Sequence, residues 1–349
     1  MRAQDDGAFR LNVLNPGGRD PEQHFGRTSG ENGAHAPVNF HAYAACTGGS
    51  FLRHTTRALS SKMPALVLLR GGFRDSEEAV NVLKDAGIAV AVSLKETGLH
   101  QIADQLRDPA KLQRFLRIVA RADGCLAPTP EAAAIYRALR RDDESVAYLP
   151  TPYPLHDEHW DWSRPIEERR GILIGTREWN VPSRNHLAAL LAARQVSETT
   201  GQTVTVYDFA GRSGARLLSE LGFRPGSLTV LTKRTAYADH LRVVAQHRLV
   251  FQLDSSFVPG QVAGDALLCR VPCVGGNGAL EREGFPQLCG VSRSIAEVTG
   301  IAERLLRDEA LYRQAVSDSQ ERAGERLSFS NVAAHLQIFF QRLAARASK

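Results

Sequence analysis

Three loops carry the side chains whose types and spacing could do chemistry. The first is Gly171-Ile-Leu-Ile-Gly-Thr-Arg177 with Pro182-Ser-Arg-Asn-His186. The second is Thr232-Lys-Arg-Thr235, and the third is Asp254-Ser-Ser-Phe-Val-Pro-Gly260. Each follows a short apolar run and precedes a helical pattern. A helix start is the positive end of the backbone dipole and normally favours Asp or Glu, so Arg184 and His186 there need an offsetting charge. A bound phosphate would supply one, because free backbone N–H groups and the dipole already favour an anion and added cations complete the site. Taken singly, Arg184, Lys233 and Arg234 read as solvated surface charges. Three such loops after three successive strands point to a ligand at the carboxyl ends of an open α/β sheet.

The elements that must position these loops alternate along the chain. In the second half, Ile172–Ile174, Val204–Phe209, Leu228–Leu231, Leu249–Leu253 and Val271–Val274 read as strands. The intervening helices pass through Leu187 and Leu190, through Leu241 and Val244, and around Asp265-Ala-Leu-Leu-Cys269. In the first half, Phe9–Leu14 alternates like a strand and meets Asn15-Pro-Gly-Gly-Arg-Asp20. There Gly17 and Gly18 either let backbone approach a ligand or make a tight turn. Val38–Tyr43 has strand character, Phe51–Arg57 reads as a helix, and Gln23–Pro37 is rich in turn formers. Leu66–Leu69, Ile88–Leu94 and Val146–Leu149 follow as strands, and Lys95-Glu-Thr-Gly-Leu-His100 makes a polar cluster at one strand end. Alternation of β and α predicts parallel sheets. The expected organisation is a first Rossmann-like domain over 1–150, a linker over 151–170, a second such domain over 171–330, and a terminal helix over 331–349 that packs back towards the first domain.

With 349 residues and 43% hydrophobic content, the chain can bury the cores of two domains. Its net charge of +5 is compatible with phosphorylated ligands but forms no basic, aromatic-interleaved stripe. The five cysteines are scattered and sit mostly in apolar stretches, as reduced buried thiols do. Cys269 and Cys273 lack a second pair at metal-binding spacing, and His156 and His159 lack a third ligand, so no metal site is expected. No apolar run approaches a membrane span, and Met1-Arg-Ala-Gln-Asp-Asp lacks a signal-peptide core. A cytoplasmic location is the expectation, with peripheral membrane contact left open.

Four segments resemble the GT-B glycosyltransferases, two doubly wound Rossmann-like domains facing across a cleft, and within them the retaining family-four, glycogen-synthase-like group. They are Ala122–Pro130 with Val146–Thr151, Ile172–Arg184, Gly264–Val274 and Ile301–Phe329. The resemblance implies that Asp265 takes the place of the carboxylate on the donor ribose. It also implies that Arg177 with Arg184 or Lys233 holds the diphosphate. The chain departs from the family pattern in three places. Phe257 stands where the family has a second glutamate, Asp replaces Glu at 265, and Arg270 replaces the Gly of Gly-x-Pro.

The resemblance implies a transferase that moves a sugar from a nucleotide-diphosphate sugar, with UDP as the expected nucleotide and no separate cofactor. Charge grows on the diphosphate as the glycosidic bond breaks, and preorganised cations aimed at it are usually the largest catalytic term. Arg177, Arg184 and Lys233 suit that role, with Arg234, Ser255, Ser256 and Gly260 completing the donor site and no metal required. In a retaining reaction the acceptor proton could pass to the leaving phosphate. Asp20, beside Gly17 and Gly18, is the candidate for touching acceptor or sugar. The acceptor itself could be a glycan, lipid, protein, small molecule or nucleic acid. The alternatives are a nucleotide-sugar 2-epimerase, which needs more carboxylates than the strand ends offer, and a catalytically silent binding module, which Phe257 keeps open.

Overall fold

Ala65–Leu69 and Val90–Leu94 are buried at every residue, as parallel strands covered on both faces must be. In the computed structural model of the chain, which describes residues 8–26, 36–140 and 142–347, they lie at the centre of a seven-stranded sheet. Its strands are β1 (Asn12–Leu14), β2 (Gln23–His24), β3 (Ser50–Leu52), β4 (Ala65–Leu69), β5 (Val90–Leu94), β6 (Gly124–Ala127) and β7 (Val146–Tyr148). They are ordered β2-β3-β1-β4-β5-β6-β7, and only β2 runs antiparallel to its neighbour. Alternate residues feed alternate faces. Val67 and Leu69 join Phe73, Phe115 and Tyr136 in one core, while Leu66 and Leu68 join Tyr43, Phe51, Leu336 and Phe340 in the other.

The chain divides into one unit of Met1–Pro154 with Ser328–Lys349 and a second of Leu155–Leu327. The closing helix, Phe329–Ala347, belongs to the first unit because Val332, Leu336, Phe339, Phe340 and Leu343, at helical spacing, fill that unit's second core.

Two sequence expectations fail near the start. Val38–Tyr43 is not a strand: the chain forms a helix at Phe40–Ala45, because Phe40, Tyr43 and Ala44 follow a helical period into one core. Phe51 does not open a helix but lies in β3, and the helix begins at Thr55. A Cβ on Gly49 would stand 2.0 Å from the Leu11 carbonyl oxygen, so only glycine lets the chain turn straight into a strand beside β1. Of the turn-rich stretch from Gln23 to Pro37, residues 27–35 lie outside the described residues.

The second unit carries β8 (Ile172–Ile174), β9 (Val204–Tyr207), β10 (Leu228–Leu231), β11 (Leu249–Gln252) and β12 (Cys273–Gly275), ordered β10-β9-β8-β11-β12 and all parallel. The order reverses between β8 and β11, which places a crevice beyond their carboxyl ends. Most of the stretch expected as a linker packs with this unit. Arg169, 2% exposed, donates to the Arg164 carbonyl at 2.7 Å, to the Arg270 carbonyl and to the Tyr312 hydroxyl. No helix among the described residues is long and apolar enough to cross a membrane.

Candidate functional site

The loops at the carboxyl edge of the second sheet bring two arginines onto one aromatic ring. Arg177, after β8, lies 5.9 Å from the Phe209 ring centroid, and Arg234, after β10, lies 5.4 Å from it. Each is within cation–π range, yet two like charges gathered on one ring repel each other. An anion between them would relieve that repulsion. Among the described residues Arg177 has only a loose ion pair with Glu178, at 3.7 Å with its own side chain 55% exposed, and Arg234 is exposed, so both guanidinium groups are open to a ligand. Lys233 is exposed and has no ion-pair or hydrogen-bond partner among the described residues.

From Phe209 the contacts run inward to a buried carboxylate. The Phe209 and Tyr207 rings are 5.9 Å apart, and the Tyr207 hydroxyl lies 3.2 Å from His240 Nδ1. His240 Nε2 lies 3.3 Å from Asp265 Oδ2. Tyr237 donates its hydroxyl to Asp265 Oδ1 at 2.5 Å, and Asp265 is 3% exposed. Burial raises the Tyr207 phenol, while a hydrogen bond with Thr235 and the charge of Arg177 pull it back. Tyr237 and His240 are three apart on the helix Tyr237–Gln246, so both face Asp265 from one side.

The loop between β8 and its helix resolves the charge conflict at the helix start without any ligand. Arg184 pairs with Asp254, a carboxylate 5% exposed. His186, the first residue of the helix His186–Thr200, is kept neutral because burial lowers its pKa, and its Nδ1 meets Thr176 Oγ1 at 3.1 Å. Ser255 and Ser256 are likewise committed. The Ser255 N–H donates to the Ser183 carbonyl at 2.8 Å, the Ser256 N–H to Asp254 Oδ1 at 2.8 Å, and the Ser256 hydroxyl to Ser183 Oγ at 2.8 Å. Arg184→Ala is therefore expected to act on stability, leaving a buried carboxylate unpaired at a cost of about 3 kcal/mol. Lys233→Ala should stay within about 0.5 kcal/mol of wild type. Urea unfolding of both variants checks the contrast.

Gly260, at φ +95°, precedes the helix Gln261–Leu268 and makes room for a buried acid. A Cβ there would stand 2.1 Å from Glu281 Oε2, and one on Gly278 would stand 2.3 Å from it. Glu281 accepts from Gln252 Nε2 at 2.6 Å through Oε1, while Oε2 has no hydrogen-bond partner among the described residues. Burial pushes its pKa up to about 8, with the Asp254 charge adding to the rise. Phe257 sits at φ +52°, its N–H bound to Asn277 Oδ1 at 2.9 Å and its ring 5.5 Å from the Arg282 guanidinium carbon.

In the first unit, Gly17 and Gly18 form a tight turn after β1: the Gly18 N–H returns to the Asn15 carbonyl at 3.0 Å. A Cβ on Gly17 would stand 2.3 Å from Asp75 Oδ2. Asp20 accepts from Asn15 Nδ2 at 2.8 Å and pairs with Lys95, so it ties the end of β1 to the loop after β5. It lies in a different unit from Arg177, Arg184, Arg234 and Asp265.

Sequence reasoning missed Phe209, Tyr207, Tyr237, His240 and Glu281 as parts of these sites. The one available signal was an aromatic residue, Phe209, just past the end of a buried strand. The others meet Asp265 or the glycines only through the fold. No group of three or more His, Cys, Asp or Glu among the described residues is placed to hold a metal ion.

No family model and no curated protein matches the sequence. Solved structures do match the fold. Anabaena HepE in complex with UDP superposes with a TM-score of 0.64 at 12% identity, covering 96% of this chain and 100% of that one. An alpha-glucosyltransferase in complex with UDP-glucose and DNA containing an abasic site gives 0.59 at 10% identity, covering 95% and 98%. A Listeria monocytogenes protein provisionally described as a UDP-N-acetylglucosamine 2-epimerase gives 0.52 at 14%, covering 82% and 76%. At these identities the likeness establishes the fold, which is GT-B.

Proposed function

We propose that the chain is a glycosyltransferase that takes a sugar from a UDP-sugar, with the UDP diphosphate held at the carboxyl edge of the second sheet. The observation that carries this reading is the convergence of Arg177 and Arg234 on Phe209, two cations gathered on one ring of which only Arg177 has an ion pair among the described residues, the loose one with Glu178. As the bond from sugar to diphosphate breaks, negative charge develops on the leaving oxygen, and fixed guanidinium groups stabilise it without reorganising. The HepE and alpha-glucosyltransferase structures carry UDP and UDP-glucose respectively, which favours UDP here. Retention of configuration and independence from metal remain part of the proposal, as does a cytoplasmic location; the acceptor is unassigned.

An epimerase needs free acids and bases around the sugar. More carboxylates stand at this edge than the sequence suggested, but Asp208, Asp254, Asp265 and Glu281 are each hydrogen-bonded to Trp179, Arg184, Tyr237 and Gln252 respectively. Asp208 and Asp254 are thus taken up by structural partners and Glu281 is 2% exposed, while Asp265 serves the ribose in this reading, which favours transfer over epimerisation. Incubation with UDP-glucose and UDP-N-acetylglucosamine, followed by assay of released UDP, tests this. Slow UDP release supports a transferase, C2-epimerised sugar nucleotide supports the epimerase, and binding without turnover supports a silent module.

Each carboxylate oxygen of Asp265 has acceptor capacity beyond the bond it makes to Tyr237 or His240, and in this reading the ribose hydroxyls take it. UDP should therefore bind about tenfold more tightly than 2′-deoxy-UDP, the worth of one hydrogen bond to a charged group. Asp265→Asn should shrink that ratio more than it weakens binding of pyrophosphate. Equal affinity of wild type for the two nucleotides would remove Asp265 from the ribose site.

A further inference from the structure

We propose that a hollow on the second unit, between the helices Ala279–Gly284, Ile295–Arg307 and Glu309–Leu327, binds a free amphipathic acid with an acyl body and a carboxylate head. The hollow has a volume of about 250 Å³, and its lining includes Phe285, Leu288, Ile301, Leu305, Leu311 and Ser319. It is separate from the carboxyl-edge loops, since none of Arg177, Arg234, Phe209 or Asp265 lines it.

Two features fix the chemistry of the occupant. The floor is apolar: Phe285, Leu288 and Leu305 are 2%, 8% and 1% exposed, while Leu311 at the rim is 40% exposed, so an apolar body would cover surface now in water. The charge around the hollow is cationic. Arg304 and Arg322 line it, and neither guanidinium has an ion-pair or hydrogen-bond partner among the described residues. The one carboxylate in the lining, Asp318, accepts from Gln314 Nε2 at 2.5 Å. Two unpaired guanidinium groups beside an apolar floor match a carboxylate on a chain. A concavity of this size takes a single short acyl chain and not a bilayer.

The probe is sodium decanoate below its micelle concentration, titrated calorimetrically into the full chain, with 1-decanol as the uncharged counterpart. One saturable decanoate site is expected, with 1-decanol at least tenfold weaker. The double variant Arg304→Ala/Arg322→Ala, and separately Leu311→Asp, should each weaken decanoate at least tenfold. All three side chains are exposed, so circular dichroism and melting temperature should match wild type in both variants. Absence of saturable decanoate binding, unchanged affinity in the two variants, or full displacement of decanoate by UDP would overturn the proposal.

Discussion

The Arg177→Ala/Arg234→Ala variant is expected to bind UDP about 100-fold more weakly than wild type, with its melting temperature little changed. A hydrogen bond to a charged group contributes about 1.5–3 kcal/mol, and each 1.4 kcal/mol is a factor of ten, so losing two contacts at the low end already reaches that figure. Neither arginine anchors the fold: among the described residues Arg177 makes only the loose 3.7 Å ion pair with Glu178, and Arg234 packs on Phe209. Phe209→Leu should cost far less, about fivefold, because it removes a cation–π platform worth about 1 kcal/mol and leaves both charges in place. Binding by the double variant within a few-fold of wild type would mean that the pair does not hold the diphosphate.

Glu281→Gln is expected to stabilise the protein at alkaline pH and to change little at pH 5. Burial holds the folded-state pKa near 8 against an ordinary 4.5. A group whose folded pKa is raised contributes stability that is fully present below the unfolded pKa and is lost as pH rises through the folded one. Wild type should therefore lose stability progressively between about pH 4.5 and pH 8, and the neutral glutamine should not. Above pH 8 the gap between them should be on the order of 5 kcal/mol. Urea midpoints at pH 5 and pH 8.5 read it. A variant no more stabilised at pH 8.5 than at pH 5 would show that Glu281 is ionised throughout.

How much of this was legible in the sequence depended on how local the cause was. Arg177 and Arg234 stand where strand runs end in polar loops, and the parallel sheet carries both strand ends to one edge, so their place could be read from punctuation alone. Arg184 shows the limit of the same logic. A cation at a helix start suggests a phosphate, but the anion that meets it is Asp254, 70 residues away and brought alongside because β8 and β11 are neighbours. His186 needs no counter-charge because burial keeps it neutral. The chain of contacts from Phe209 through Tyr207 and His240 to Asp265 joins the end of β9 to two separate helices, and no spacing announces it. Val38–Tyr43 differs for another reason: six residues are too few to separate a period of two from one of 3.6, and burial with Leu336 and Phe340 in one core decides for the helix.

Titration of UDP, UMP and uridine into the wild-type protein by calorimetry tests the central claim most directly, because the three differ in phosphate and share the nucleoside. The account predicts one site, with UDP at least tenfold tighter than UMP and uridine weaker again. Equal affinities for the three, or no binding of UDP at all, would contradict a diphosphate held between Arg177 and Arg234.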